Sequence, residues 1–161
     1  PKYSGTIARQ WGRRPGPPDK FVELGKQHLV QSTVKVETWE DFVKFICNGY
    51  PVTVASNVGF EMQAGSDGFH NRSGSWAHQM VYIGVDDEHD KPYGCLLNSW
   101  ADVHGLIKDF KTGEPWPKGT LRVHKKDIES MLAQGDSFAY SQWVGFPEQR
   151  LSLSDINTGG T

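Results

Sequence analysis

Ala77-His78-Gln79-Met80-Val81-Tyr82-Ile83-Gly84-Val85 and Gly94-Cys95-Leu96-Leu97-Asn98-Ser99-Trp100 are the stretches whose reading decides the fold. Residues 78–85 and 93–100 are strand-like runs. Between them, Asp86-Asp87-Glu88-His89-Asp90-Lys91-Pro92 is charged and ends in proline, as a solvated hairpin loop does. With the turn centred on Glu88, His78 and Asn98 are equally far from it along their strands. In that register the two stand opposite each other on one face, with Cβ atoms about 5 Å apart. Trp100 lies two residues beyond Asn98, on the same face, where it covers the pair from water. A histidine held by a neutral amide oxygen has its tautomer and ring orientation fixed, and its other ring nitrogen is left for a nucleophile.

Outward from the hairpin, the chain alternates helix and strand signals. Residues 28–36 alternate loosely as a strand. Thr38 then caps a helix whose apolar residues Trp39, Phe42, Val43, Ile46 and Cys47 share one face, with Glu40 and Asp41 in the first turn and Asn48-Gly49 as the stop. Residues 51–56 read as a buried strand, and 59–75, with Gly65, Gly68 and Gly74, as a long surface loop. Residues 119–124 are a further strand, 125–134 a short helix stopped by Gly135, and 137–143 a last strand. Residues 1–27, containing Arg13-Arg14-Pro15-Gly16-Pro17-Pro18, read as an irregular N-terminal arm, and 148–161 as a loosely ordered tail. The domain proper is 28–147. The fold class is α+β: a mostly antiparallel twisted sheet or half-barrel with one or two helices.

Composition narrows the function. The chain has 161 residues with 17 Lys+Arg against 19 Asp+Glu, a net charge of −2, which disfavours a nucleic-acid backbone binder. No apolar run approaches the ~18 residues of a membrane span. Two cysteines make neither a disulfide scaffold nor a zinc Cys-x-x-Cys pair. The acidic residues with His89 between 86 and 90 crowd one solvated turn, so no metal site and no cofactor are expected. The first residue is Pro1 and no signal-peptide pattern is present, which reads as a processed product or a piece of something longer.

The His78 strand, leading through small and apolar residues to Gly84, and the Asn98-Ser99-Trp100 ending of the next strand resemble the C-terminal half of papain-like cysteine peptidases. The helix after Thr38, running into Tyr50-Pro51-Val52-Thr53-Val54, is similar to that family's helix and Pro-Val strand. Gly119-Thr120-Leu121-Arg122-Val123 sits where the family has the strand after its glycine-rich turn. The similarity runs in order over about residues 30–146, with the His and Asn-Ser-Trp pieces its specific part. It implies the right-hand, base-bearing lobe of that fold. His78 then matches the general base, Asn98 the orienting amide, and Trp100 with Ser99 the supporting motif. Gly59, Phe60, Trp76 and Ala77, with His70, would shape the substrate cleft. Ala101 replaces the family's glycine after Trp100, and Asp102-Val103-His104-Gly105 replaces its glycine-rich turn.

The nucleophile is missing. Nothing in residues 1–35 matches the family's Gln and Cys segment. Cys47, on the apolar helix face at its C-terminal end, reads as a small buried hydrophobe, and Cys95, three residues from Asn98, faces away from the pair. Ser73 and Ser75 lie in a glycine-flanked loop. Two readings follow. The chain is the base-bearing half of a thiol-dependent peptide or amide hydrolase, inactive alone, whose partner is an N-terminal lobe from the same gene or a companion chain. Alternatively, it is a catalytically dead papain-like module used for binding or within a larger assembly.

Overall fold

A computed structural model describes residues 4–100 and 104–143. Its centre is a six-stranded antiparallel sheet in the order β1-β6-β2-β3-β4-β5. The strands are β1 (Val30–Lys35), β2 (Val52–Phe60), β3 (Arg72–Asp86), β4 (Tyr93–Leu97), β5 (Thr120–His124) and β6 (Ser137–Trp143). Four α-helices accompany them: α1 (Gly5–Trp11), α2 (Asp19–Gly25), α3 (Trp39–Cys47) and α4 (Lys125–Leu132). The class is therefore α+β, as the sequence implies. The sheet is open, with β1 and β5 at its edges. Among the described residues, no helix is long and apolar enough to cross a membrane.

The main core lies on the sheet face covered by α3 and α4. Thr38 accepts the Asp41 N–H at 3.1 Å and so caps α3, and Gly49, at φ 77°, takes the left-handed turn that ends it. That helix presents Trp39 and Phe42 inward, and α4 presents Ile128, Met131 and Leu132, against Val52, Val54, Met80, Tyr82, Leu96, Leu121 and Val123 of the sheet. Phe42 meets Tyr82 edge-on at 4.9 Å. A smaller cluster, Phe69, Tyr93 and Cys95, forms separately, with Ile83 and Trp116 packed on it.

Several sequence expectations need correction. Among its described residues the arm is helical on either side of 12–18: Ser4 accepts the Ile7 N–H and starts α1, Asp19 follows Pro18 into α2, and Trp11 packs on Phe21 at 4.9 Å. The prolines thus separate helices rather than abolish them. Neither helix buries a residue. The expected loop 59–75 is shorter than its glycines suggest: β2 continues to Phe60 and β3 begins at Arg72, leaving 61–71 as the connection. Its glycines misled. Gly59 approaches β3 so closely that a Cβ there would lie 2.4 Å from the Ser73 carbonyl oxygen, and two irregularities in the β2–β3 register, between Ser56 and Phe60, mark bulges on β3. The expected tail 148–161, like Ala101, Asp102 and Val103, lies outside the described residues.

Candidate active site

β3 and β4 place the site where the helix-covered face runs out. Along β3, Met80 and Tyr82 enter the core, and His78, next on the same face, is half-buried. The register differs from the one expected. Val81 pairs with Leu97 and Tyr82 with Leu96, and a bulge follows before Gly84 meets Cys95. Extending the pairing around Tyr82 puts Trp100, not Asn98, opposite His78. The slip is of two residues, so every side chain keeps its face, and Asn98 becomes the diagonal neighbour of His78 instead of the direct one.

The diagonal contact closes. Nε2 of His78 stands 3.0 Å from Oδ1 of Asn98, which is buried at 3% exposure. The Trp100 indole lies nearly parallel to the imidazole, 14° between planes and 5.0 Å between centroids, and is itself 38% exposed. It covers one face of the His78 ring. Ser99 beside it is exposed. Among the described residues, none hydrogen-bonds Nδ1 of His78.

On the sheet, His78 pairs with Ser56 of β2. The two belong to a shallow, largely open cleft of about 750 Å³ lined by Ala55, Ser56, Asn57, Ala77, His78, Gln79, Gln134 and Asp136. Of the expected cleft residues, Ala77 lines it. Gly59 and Phe60 do not: both are buried strand residues, and Phe60 packs edge-on beneath Trp76 at 6.0 Å. Trp76 instead supports Trp100, 5.0 Å away. His70 is fully buried, with Nδ1 accepting the Arg122 N–H and Nε2 3.4 Å from the His104 carbonyl oxygen. Ser56 was missed by sequence reasoning. Its hydroxyl accepts the Val58 N–H at 3.1 Å and staples the strand where the β2–β3 register shifts.

His104 was also missed. Nδ2 of Asn98 stands 3.0 Å from its Nε2, and its Nδ1 stands 3.3 Å from the Met62 carbonyl oxygen. Both functional atoms of the Asn98 amide are therefore used between two imidazoles. His104 stands 42 residues from Met62 in sequence, and no local pattern connects them.

The thiols are elsewhere. Cys95 is buried beside Phe69 and Tyr93, where burial pushes its pKa up to about 12. Cys47 is exposed at the end of α3, contrary to its expected burial. It falls eight residues after Trp39, about 80° round the helix from it, at the margin of the apolar stripe. Partial burial and then the Asp87 and Glu88 carboxylates raise its pKa. Neither lines the cleft. Ser75, the other nearby hydroxyl considered, donates to the Asn57 carbonyl at 2.9 Å. Among the described residues, no group of three or more His, Cys, Asp or Glu side chains could hold a metal ion. The charged turn has a structural occupation: Asp86 accepts the Glu88 and His89 N–H groups and pairs with Lys111 at 3.3 Å.

Burial lowers the pKa of both His70 and His104, which favours the neutral form of each in the folded chain. The unfolded chain, with imidazoles near 6.5, binds more protons in the window below that value. The stability these groups contribute is complete above about pH 6.5 and is lost as pH falls toward their depressed folded values. The urea midpoint is expected to be lower at pH 5.5 than at pH 7.5. An equal or higher midpoint at pH 5.5 would contradict the neutral burial of these rings.

Compared with known proteins, the chain matches no family model and no curated protein.

Proposed function

We propose that this chain supplies the general base of a thiol-dependent amide or peptide hydrolase of the papain-like type, with the nucleophile delivered by polypeptide outside it. The observation that carries this reading is His78: Nε2 committed to a buried amide oxygen, one ring face under Trp100, and Nδ1 left unengaged by the described residues in a side chain that lines a cleft. In the reaction, Nδ1 takes the proton of an incoming thiol and returns it to the leaving amine, while Asn98 holds the ring against rotation. Without a thiol in the cleft the chain turns over nothing. A catalytically inert binding module is the second reading, and the distance of both cysteines from the cleft favours it.

Reactive-thiol mapping on the protein isolated from its source separates the two. A companion or contiguous segment whose cysteine reacts with iodoacetamide faster than Cys47 and Cys95 is expected. His78→Ala should lower that reactivity and amide turnover, by about 10²–10⁴-fold for turnover. If Cys47 and Cys95 are the only thiols found, the hydrolase reading fails and the inert module stands.

A further inference from the structure

We infer that His104 is a positioning residue that fixes the tautomer of His78 through the amide of Asn98. A backbone carbonyl can only accept, so Nδ1 of His104, 3.3 Å from the Met62 oxygen, carries a proton. His104 is 1% exposed, and burial disfavours its charged form, so its other nitrogen, Nε2, is a bare acceptor. The group 3.0 Å from that nitrogen must therefore donate, and this places the NH2 end of the Asn98 amide against His104. The carbonyl end then faces His78, whose Nε2 must donate to it at 3.0 Å. A neutral imidazole carries one proton. With it on Nε2, the lone pair of His78 sits on Nδ1, the nitrogen that a base needs free.

The opposite amide orientation is chemically self-consistent only if the Met62 contact is given up or His104 is charged. Turned round, Asn98 would present its NH2 to His78, Nε2 there would accept, and the proton would move to Nδ1, closing the base. A single part-buried carbonyl contact thus selects between a competent and an incompetent His78. Trp100 packs against both imidazoles, stacked on His78 at 5.0 Å and 6.1 Å from the His104 ring, and limits rotation of either. His70 adds a second restraint, since its Nδ1 accepts from Arg122 and its Nε2–H donates to the backbone carbonyl of His104.

The functional meaning of this relay rests on the proposed role of His78, but the tautomer is read without turnover. The two claims therefore fail separately. Long-range ¹⁵N–¹H correlation spectra of the chain at pH 7.5 should show His104 protonated on Nδ1 alone and His78 on Nε2 alone. His104→Leu, which can accept nothing from Asn98, should convert His78 to a mixture of tautomers. His104→Gln, whose carbonyl can accept the same amide proton, should restore the Nε2–H form. The inference is overturned if wild-type His104 is protonated on Nε2, if His104→Leu folds and leaves His78 as Nε2–H alone, or if His104→Gln loses that form. Should His104→Leu not fold, the wild-type and His104→Gln spectra decide.

Discussion

Asn98→Leu is expected to lower stability and to free His78 in one step. Leucine repeats the branched skeleton of asparagine and is the bulkier of the two, so no cavity is left, and the loss is one of hydrogen bonds with some overpacking added. Both ends of the amide are lost from a site at 3% exposure. Nε2 of His104 is then buried without its donor, a penalty of about 1–3 kcal/mol for the orphaned group. The bond to His78 goes with it, and that ring becomes free to reorient on the cleft side. A fall in melting temperature of about 2–4 °C per kcal/mol is the scale to look for. Asn98→Asp is the informative companion, because it keeps an acceptor for His78 but offers His104 no donor. Leucine as stable as asparagine at this position would mean that the His78–Asn98–His104 chain contributes nothing to the fold.

The second large effect is expected from Gly59→Ala. The added Cβ would lie 2.4 Å from the Ser73 carbonyl oxygen and 3.0 Å from both the Gly74 carbonyl carbon and Cδ1 of Trp76. Two of those atoms are backbone, so no side-chain rotation relieves the clash, and the cost is expected at or above the usual 1–3 kcal/mol of overpacking. The strand that must move is the bulged part of β3, a few residues before His78. Chemical shifts of the Trp76 and His78 rings should therefore change along with the melting temperature. Gly5→Ala, at the start of α1 with open space around it, serves as the control and should be neutral or slightly stabilising. Equal stability of Gly59→Ala and wild type would show that the two strands part without penalty.

Much of the fold can be read from local signals. Thr38, the apolar stripe behind it and Asn48-Gly49 delimit α3 within a residue, and Gly135 marks the end of the α4 segment. The charged 86–92 connector sets the hairpin because its chemistry is that of a solvated turn. The His78–Asn98 contact was foreseen through an incorrect register, and it survives because a shift of two residues preserves the face. What escaped depends on non-local geometry. The glycines of 59–75 carry the signature of a loop, yet Gly59 belongs to a strand that needs its neighbour's backbone close. Cys47 has helical spacing with the core, but it lies where the helix leaves the sheet. The role of His104 is set by a main-chain oxygen of Met62, and a main-chain oxygen is the same in every sequence.

The strand order carries a consequence for how the molecule is made. Among the described strands β1 is synthesised first, yet its neighbour in their sheet is β6, the last of them. Until residues 137–143 are synthesised, β1 lacks the partner it has among the described strands, and the sheet around β2 to β5 must form without it. A strand kept waiting in this way is exposed to pairing with other nascent chains. Its sequence guards only one end: Val30-Gln31-Ser32-Thr33-Val34-Lys35 ends in a charge, but its β-branched residues and lack of proline and glycine fit the signature of a pairing-prone edge. Release of the chain before Ser137 would cost the sheet not one strand but two, one from each end of the described sequence.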